Sequence, residues 1–389
     1  MKIENVFNSK TINLIGRDKE IKQFIYALLT KEHLLLMGPA GTGKSQFANN
    51  VFSIIKGSKI FKAHLTKFMS EEYVFGPVDI KKLREKGIIE HITKDSILDS
   101  DFAFLDEFFD ASDVLLRTLL GVLNEREWHR GMQHVTAKLH TAIVTSNYQR
   151  ENEVTQAILD RFLFKAEVGQ ITHRNQRILM LSNSLKDNSQ LKTIFDLDKI
   201  KEISDMIDRP NDIIVDKDII DAFDELTEEY IKETKKYISD RTKVKSMKLL
   251  KCVAVLDKRK EVSYEDLSEL KYIYCVLNKK LEEDLFDACY DKVISKKLEE
   301  KQVIEDLKQV ESVLDKLPDD FTKFTDKEFI ETMKQLNEYI TLLDSMNKVP
   351  TNYVASTRDL LIKKVEKLIS KNCDKFFELK PKNNKQDAK

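Results

Sequence analysis

One glycine-rich segment has the residue types and spacing of a phosphate-binding loop. Eight residues match the pattern G-x-x-x-x-G-K-[ST]: Gly38, Pro39, Ala40, Gly41, Thr42, Gly43, Lys44 and Ser45. An apolar run precedes them and an amphipathic stretch at residues 45–55 follows, which is the strand-loop-helix context that the motif requires. We therefore predict that backbone N–H groups surround a nucleotide phosphate at a helix N-terminus. Lys44 would then reach the β- and γ-phosphates, and the Ser45 hydroxyl would bind Mg²⁺. Gln46, directly after the loop, is also expected to bind the nucleotide.

Two adjacent acids follow an apolar run about sixty residues later, at Asp106 and Glu107. Open α/β sheets place their ligands at the carboxyl ends of the strands, which is where this pair would lie. We expect Asp106 to hold the water shell of Mg²⁺ and Glu107 to act as the base for an attacking water. An acid pair of this kind also ends many ordinary strands, so its significance depends on the loop at Gly38.

Two further polar residues border strand-like segments, Asn147 after residues 140–146 and Arg161 just before residues 162–168. The Asn147 amide could orient a water nucleophile or contact the γ-phosphate. Each residue alone is equally consistent with a common strand end or a surface position. The order of phosphate loop, Asp-Glu pair, Asn and Arg along the chain is the more specific signal.

The elements that would position these residues alternate between strands and helices. Predicted strands occupy residues 33–37, 60–65, 102–105, 141–145 and 162–168, with amphipathic stretches at 19–29 and 45–55. Continuous apolar strands separated by helices predict an α/β fold, with a parallel sheet covered on both faces.

Glycine divides the chain into two parts. All ten glycines lie between Gly16 and Gly169, and none follows. Because glycine serves turns and is disfavoured inside helices, the remainder should be nearly all helical. Pro210 should separate two helices. From residue 281 the apolar spacing is heptad-like, which favours a bundle of two or three helices over a coiled coil. The polar, lysine-rich end is predicted to be disordered.

Composition excludes several classes of protein. Lys and Arg number 65 against 66 Asp and Glu, so a net charge of −1 provides no overall field for nucleic acid or an anionic membrane. No stretch approaches the ~20 apolar residues of a membrane span, and residues 1–10 contain no apolar core of a secretory signal. The four cysteines form no Cys-x-x-Cys pair, which favours buried thiols. The seven histidines form no metal motif, and we expect structural roles for them.

Several motifs together carry a family resemblance. Besides the glycine-rich loop they are IGR at 15–17, EYVFGP at 72–77, FLDE at 104–107, LLGVLNER at 119–126, TSN at 145–147, LDRF at 159–162 and SDR at 239–241. Over roughly residues 10–280, the sequence resembles an AAA+ ATPase of the MoxR group, and most closely the regulatory ATPase branch called RavA.

The resemblance implies a fold, cofactors and residue roles. The fold would be an AAA+ core with a five-stranded parallel sheet (residues 1–170), an all-helical lid (171–280), a C-terminal helical bundle (281–380) and a disordered tail (381–389). ATP and Mg²⁺ would be the cofactors. By the same resemblance, Asn147 is sensor 1, Arg161 the arginine finger offered to a neighbouring subunit and Arg241 sensor 2, while Ile15 and Gly16 flank the adenine.

The resemblance also implies partners. MoxR-type ATPases form rings, usually hexamers, and remodel or help to assemble other proteins, often with a von Willebrand factor A domain protein. We expect such a homo-oligomer here, in the cytoplasm and without membrane insertion. The RavA branch carries a β-rich insertion that contacts a lysine decarboxylase. The segment after residue 281 is helical in pattern and lacks glycine, so we do not expect that contact.

Three functions compete. A protein-remodelling ATPase is favoured by the motifs. A nucleic-acid-stimulated motor could use Arg126, Trp128 and Arg130 for charge and stacking, although the net charge opposes it and nucleic acid is not an expected partner. A scaffold with structural ATP would not need Glu107 and Arg161. Trp128 lies in a predicted hairpin at residues 127–139 that either faces a pore or packs on its neighbour.

Overall fold

The computed structural model describes residues 12–147, 158–184, 195–275, 280–318, 320–321, 323–346 and 352–379. The chain divides into two compact units, Met1–Tyr290 and Asp291–Lys389. The sequence-based boundary at 281 lies ten residues before this division, because the helix Lys280–Tyr290 packs within the first unit. Its buried Phe286 contacts the rings of Tyr230 and Tyr274 at centroid distances of 5.6 and 6.3 Å.

The first unit is built on a five-stranded parallel sheet with strand order β3-β4-β7-β1-β8. The strands described in the structure are β1 Leu34–Met37, β2 Ile55–Lys56, β3 Ile60–His64, β4 Phe102–Asp106, β5 Glu127–Arg130, β6 Gln133–Thr136, β7 Thr141–Ser146, β8 Phe164–Glu167 and β9 Phe195–Asp196. All five predicted strands are confirmed, with bounds that differ by up to two residues. Every residue of β1 and β7 is buried, as expected for strands covered on both faces.

The topology places a crevice at the carboxyl end of β1. β1 lies between β7 and β8, so the chain leaves β1 towards one side of the sheet and later returns on the other. Loops that leave the carboxyl ends of strands at such a reversal diverge, and ligands bind between them. The glycine-rich loop follows β1 at this position.

Helices cover the sheet and build the remainder of the first unit. They are α1 Asp18–Leu29, α2 Lys44–Ser53, α3 Glu71–Phe75, α4 Ile80–Lys86, α5 Asp113–Glu125, α6 Arg174–Ser184, α7 Leu197–Asp208, α8 Lys217–Thr234, α9 Asp240–Leu256, α10 Lys271–Tyr274 and α11 Lys280–Tyr290. Short 3₁₀ helices span Ile97–Asp99, Phe108–Asp110 and Tyr264–Leu270.

Local sequence signals explain where several helices begin and end. The Ser112 hydroxyl accepts a hydrogen bond from the Leu115 N–H at the start of α5, as an N-cap does. α7 ends at Asp208 because Arg209 is extended before Pro210 (φ −70°, ψ 134°), which confirms the predicted break. The apolar spacing at Leu267, Leu270 and Ile273 belongs to a 3₁₀ helix followed by one short α-helix, not to a continuous helix.

In its described part, the second unit contains three long helices after a π-helical turn at Asp291–Ser295. They are α12 Lys296–Lys316, α13 Asp326–Ser345 and α14 Asn352–Leu379. Heptad-spaced residues form its core, where Leu307, Leu336 and Val365 are at most 1% exposed. Pro318 follows α12, whereas Pro350 and the predicted tail lie outside the described residues.

Two further sequence expectations concern buried thiols and membranes. Cys252, Cys275 and Cys289 are buried thiols that form no disulfide, as predicted; the Cys373 side chain lies outside the described part of the chain. Among the described residues, no helix combines the length and apolar character that crossing a membrane would require.

Candidate nucleotide site

The loop between β1 and α2 depends on glycine for its conformation. Gly38 has φ +152°, and a Cβ there would lie 2.3 Å from the Val168 carbonyl oxygen. Gly43 adopts a left-handed conformation (φ 86°) directly before the first residue of α2, which side chains other than glycine rarely tolerate. The loop therefore delivers its backbone N–H groups to the N-terminus of α2, as a phosphate-binding loop requires.

Lys44 is the buried cation of this loop. Its ammonium donates hydrogen bonds to the carbonyl oxygens of Gly38 (2.7 Å) and Pro39 (2.9 Å) and to Asn147 Oδ1 (2.8 Å). Burial lowers the pKa of Lys44, while the nearby Glu107 and Asp106 carboxylates oppose that shift. A phosphate oxygen is a stronger acceptor for this ammonium than a neutral carbonyl, so the side chain is placed to bind the β- and γ-phosphates.

Asp106 is the last residue of β4, and its carboxylate contacts both the start of α2 and the neighbouring strand β7. The Ser45 hydroxyl donates to Asp106 Oδ2 at 3.2 Å, and the Thr145 hydroxyl donates to Asp106 Oδ1. His64 Nδ1 lies 3.7 Å from Oδ2. A serine hydroxyl beside a carboxylate supplies the hard oxygen ligands that Mg²⁺ prefers, so Ser45 and Asp106 fit the role predicted for them.

Glu107 and Asn147 contact each other across the ends of β4 and β7. Glu107 has a left-handed backbone (φ 53°, ψ 49°), a strained conformation of the kind that is found at functional sites. Its carboxylate accepts a hydrogen bond from the Asn147 side-chain amide and one from the Asn147 N–H at 3.4 Å. Asn147 thus connects the candidate base to Lys44.

Two neighbouring cavities share the loop. The first is lined by Ala40, Gly41, Gly43, Lys44, Ser45, Gln46, Asp106, Glu107 and Asn147. The second is lined by Asn13, Leu14, Ile15, Arg17, Gly41, Thr42, Gly43, Gln46, Ile171, Met180 and Asn183. The two cavities share Gly41, Gly43 and Gln46; the first holds the lysine and the acids, and the second has apolar side chains. Ile15 lines the second cavity, whereas adjacent Gly16 (φ +68°) lies beside Gln176.

Arg17 belongs to the IGR motif, but the sequence alone assigns it no role. Its guanidinium donates to the carbonyl oxygens of Thr42 (2.9 Å) and Gly169 (2.7 Å). These bonds connect the phosphate loop to the segment that follows β8. The sequence likewise assigns no role to Thr145 or His64, although both lie near the strand ends that the topology brings together.

The two predicted arginines do not line either cavity. Arg161 lies in the turn before β8, where its N–H donates to the Ile158 carbonyl at 3.0 Å. Arg241 Nη1 is 3.9 Å from Asp160 Oδ2, and the Ser239 hydroxyl donates to Asp160 Oδ1 at 2.6 Å. The start of α9 is therefore connected to the turn that carries Arg161. Within one chain, neither arginine side chain is placed among the residues that surround the phosphate cavity.

The three residues that could have served nucleic acid make contacts inside the chain. Arg126 donates to the Lys31 and His140 carbonyl oxygens at 2.7 and 3.1 Å. Arg130 pairs with Glu71 at 2.6 Å. Trp128 is 2% exposed and stacks on Phe75 with ring centroids 5.6 Å apart. The hairpin thus packs through its tryptophan, and that ring is not available to stack on a base.

Comparisons with known proteins match most of the first unit to two family models. The family model described as the MoxR domain in the MoxR-vWA-beta-propeller ternary systems matches residues 1–207, and an AAA lid domain model matches residues 217–283. An uncharacterized protein of Methanocaldococcus jannaschii is 30% identical over 276 residues, which is 70% of each chain. The chaperone MoxR1 of Mycobacterium tuberculosis is 24% identical over 205 residues, covering 51% of this chain and 53% of MoxR1.

A solved structure supports the same fold. The crystal structure of a candidate ATPase from Cytophaga hutchinsonii superposes with a TM-score of 0.58 at 18% identity. The match covers 75% of this chain and 94% of that one. With the parallel sheet, the helical lid and the family matches taken together, the chain belongs to the MoxR family of AAA+ ATPases.

Proposed function

We propose that this chain hydrolyses ATP with Mg²⁺ in a ring of identical subunits, a hexamer, and uses the energy to remodel or help to assemble a partner protein. The observation that carries this proposal is the position of Glu107. Its carboxylate is fixed by Asn147 beside the phosphate cavity, next to Asp106 and Lys44. A scaffold that merely bound ATP would have no use for a second carboxylate placed in this way.

The chemistry follows from the residues around the cavity. Lys44 and the loop N–H groups bind the phosphates and offset the charge that develops on the γ-phosphoryl group. Ser45 and Asp106 would hold Mg²⁺, which neutralises phosphate charge when bound. Glu107 accepts the proton of the attacking water, and its bond to Asn147 keeps the carboxylate oriented. Arg161 would complete the site from the next subunit, and Arg241 would sense the nucleotide from the lid.

The proposed partner is a von Willebrand factor A domain protein. In the name of the matched family model, the MoxR domain occurs together with such a domain and a β-propeller. The name chaperone given to MoxR1 supports a remodelling role. Assignment to the RavA branch and a cytoplasmic location remain predictions from the sequence.

Glu107→Gln separates hydrolysis from binding. We expect this variant to bind Mg-ATP with wild-type affinity and to lose hydrolysis by about 10²-fold or more, because the amide cannot accept the proton. Phosphate release measures the rate, and a fluorescent ATP analogue measures binding. Glu202→Gln, an exposed acid on α7, is the matched control and should keep wild-type activity. Normal hydrolysis by Glu107→Gln would place the base elsewhere.

A further inference from the structure

The hairpin β5–β6 brings together three side chains that the nucleotide site does not use. Glu127, His129 and His134 each offer a ligand atom, and these atoms all lie within 4.8 Å of one another. We propose that this trio binds a divalent transition-metal ion, with Zn²⁺ the ion of choice, at a site separate from the nucleotide cavity.

Strand register explains why the three side chains meet. His129 and His134 are directly opposite each other in the antiparallel pair, and Glu127 is opposite Thr136. Side chains alternate between the two faces of a strand, so Glu127 and His129 share one face while Trp128 occupies the other. His134 is then the diagonal neighbour of Glu127, within reach of long side chains.

The opposite face holds the hairpin in place. Trp128 is buried against Phe75, and its ring also makes an edge contact with His91 at 5.3 Å. Arg130, on the Trp128 face, pairs with Glu71. These contacts fix one face of the ribbon to the body of the unit and direct the Glu-His-His face to solvent, where an ion can reach it.

Two of the three distances between ligand atoms suit a tetrahedral ion, and all three lie within 4.8 Å. His129 Nε2 lies 3.3 Å and His134 Nε2 lies 3.6 Å from the same carboxylate oxygen, Glu127 Oε2. Ligand atoms about 2.0–2.2 Å from Zn²⁺ in a tetrahedral arrangement are separated from one another by about 3.3–3.5 Å. The imidazole rings are stacked in parallel (4°) with centroids 4.2 Å apart, so both rings must rotate for their Nε2 lone pairs to point at one ion.

The ligand types select the class of ion. Two imidazoles and one carboxylate suit Zn²⁺ or another late first-row ion, whereas Mg²⁺ and Ca²⁺ prefer oxygen ligands alone. Three protein ligands leave one position of a tetrahedral ion open to water or to a group from another molecule. The side chains are 44–62% exposed, so this open position faces the outside of the chain.

Binding of Zn²⁺ alone tests the site. The full-length protein, stripped with a chelator and free of nucleotide and Mg²⁺, is titrated with Zn²⁺ by calorimetry. We expect one high-affinity ion per chain. His134→Ala should weaken that binding at least tenfold, and so should His129→Ala, since even partners beyond the ligand shell contribute 10–100-fold. Zn²⁺ should raise the melting temperature of the wild type more than that of either variant.

The matched control is His173→Ala, which removes an exposed histidine outside the hairpin and should leave Zn²⁺ binding unchanged. The visible absorption spectrum of the Co²⁺-loaded protein gives a second measurement. Bands of tetrahedral Co²⁺ without sulfur charge-transfer bands support the site. Equal Zn²⁺ binding by wild type and His134→Ala, sulfur bands from the cysteines, or no binding by a folded wild type would each overturn the proposal. In those cases Glu127, His129 and His134 form only ion pairs at the surface.

Discussion

At the scale of single residues, the nucleotide site depends on its carboxylates and equally on the neighbouring groups that hold them in one orientation. One carboxylate oxygen of Asp106 accepts a hydrogen bond from the Ser45 hydroxyl, and the other accepts one from the Thr145 hydroxyl. Thr145 is buried in β7, so its hydroxyl has no competing water and holds Asp106 in one orientation. A ligand to Mg²⁺ that is oriented in this way loses little freedom when the ion binds.

Thr145→Val tests this positioning role, because valine keeps the shape of threonine and removes the hydroxyl. We expect hydrolysis to fall about tenfold at low Mg²⁺ and to recover in part as Mg²⁺ is raised, the behaviour of a lost outer-shell partner. A Mg²⁺ titration of the ATPase rate measures it. Thr141→Val, in the same strand but at its other end, should show no such Mg²⁺ dependence. Superimposable Mg²⁺ curves for Thr145→Val and wild type would contradict the assignment.

The sequence predicted Lys44, Ser45 and the two carboxylates but missed the Thr145 hydroxyl. Lys44 and Ser45 stand out because they complete the glycine-rich motif, and Asp106 and Glu107 because they come at the end of an apolar run. Thr145 lies inside such a run, where a β-branched residue is expected for packing alone. Its contact with Asp106 depends on the pairing of β4 with β7, which is a property of topology and not of local sequence.

At the scale of elements, a buried histidine couples the sheet to α7. The His140 ring, just before β7, makes an edge contact with Phe102 at 5.9 Å and has Nε2 3.4 Å from the Ser204 hydroxyl. Burial, together with the nearby Lys31, Arg126 and Lys201 charges, lowers the pKa of His140 to about 3, while the Asp101 carboxylate opposes this shift. The ring is therefore neutral in the folded state where an unfolded histidine becomes charged.

This difference predicts acid sensitivity. Because the folded pKa lies below the unfolded value of about 6.5, the unfolded chain binds the proton first, and stability is lost as the pH falls from about 6.5 towards 3. Between pH 7 and 5, wild type should lose about 2 kcal/mol more than His140→Gln. Urea unfolding followed by the fluorescence of Trp128, the only tryptophan, reports on the first unit. His173→Gln is the control, and parallel pH curves for wild type and His140→Gln would refute the prediction.

Most elements were predictable, and the exceptions have physical causes. Apolar runs predicted the five strands, and Pro210 predicted the end of α7, because both signals are local. The 3₁₀ segment Tyr264–Leu270 was not predicted: i, i+3 spacing of Leu267 and Leu270 fits a 3₁₀ helix as well as an α-helix. The packing of Trp128 on Phe75 joins distant segments of the chain, so the hairpin pattern alone left its orientation open.

At the scale of the whole molecule, the two units differ in what the comparisons explain. The matched family models cover residues 1–207 and 217–283, which lie in the first unit. The second unit, from Asp291, is a separate helical core with its own buried leucines. The catalytic proposal concerns the first unit, and within it Arg161 does not line the phosphate cavity of its own chain. If Arg161 is the arginine finger, as proposed, a second copy of the chain would supply it to this site.

Mixing two inactive variants tests whether the site is shared between copies. An arginine finger contributes about 10³–10⁵ in rate, so Arg161→Ala and Glu107→Gln should each be nearly inactive alone. In a mixed ring, a site is complete when its own subunit carries Arg161→Ala and the neighbour that supplies the finger carries Glu107→Gln. Random assembly of equal amounts makes about a quarter of the sites complete, if the finger acts in trans and sites fire independently.

The co-refolded mixture is assayed for ATPase activity after its co-assembly has been verified. In the matched control, Glu107→Gln is mixed with the double variant Glu107→Gln/Arg161→Ala. No arrangement of these subunits gives a complete site, so this mixture should stay inactive. Activity of the first mixture well above the mean of the two variants, and above this control, is expected. If mixed rings form and remain as inactive as the control, Arg161 acts within its own subunit or has no catalytic role.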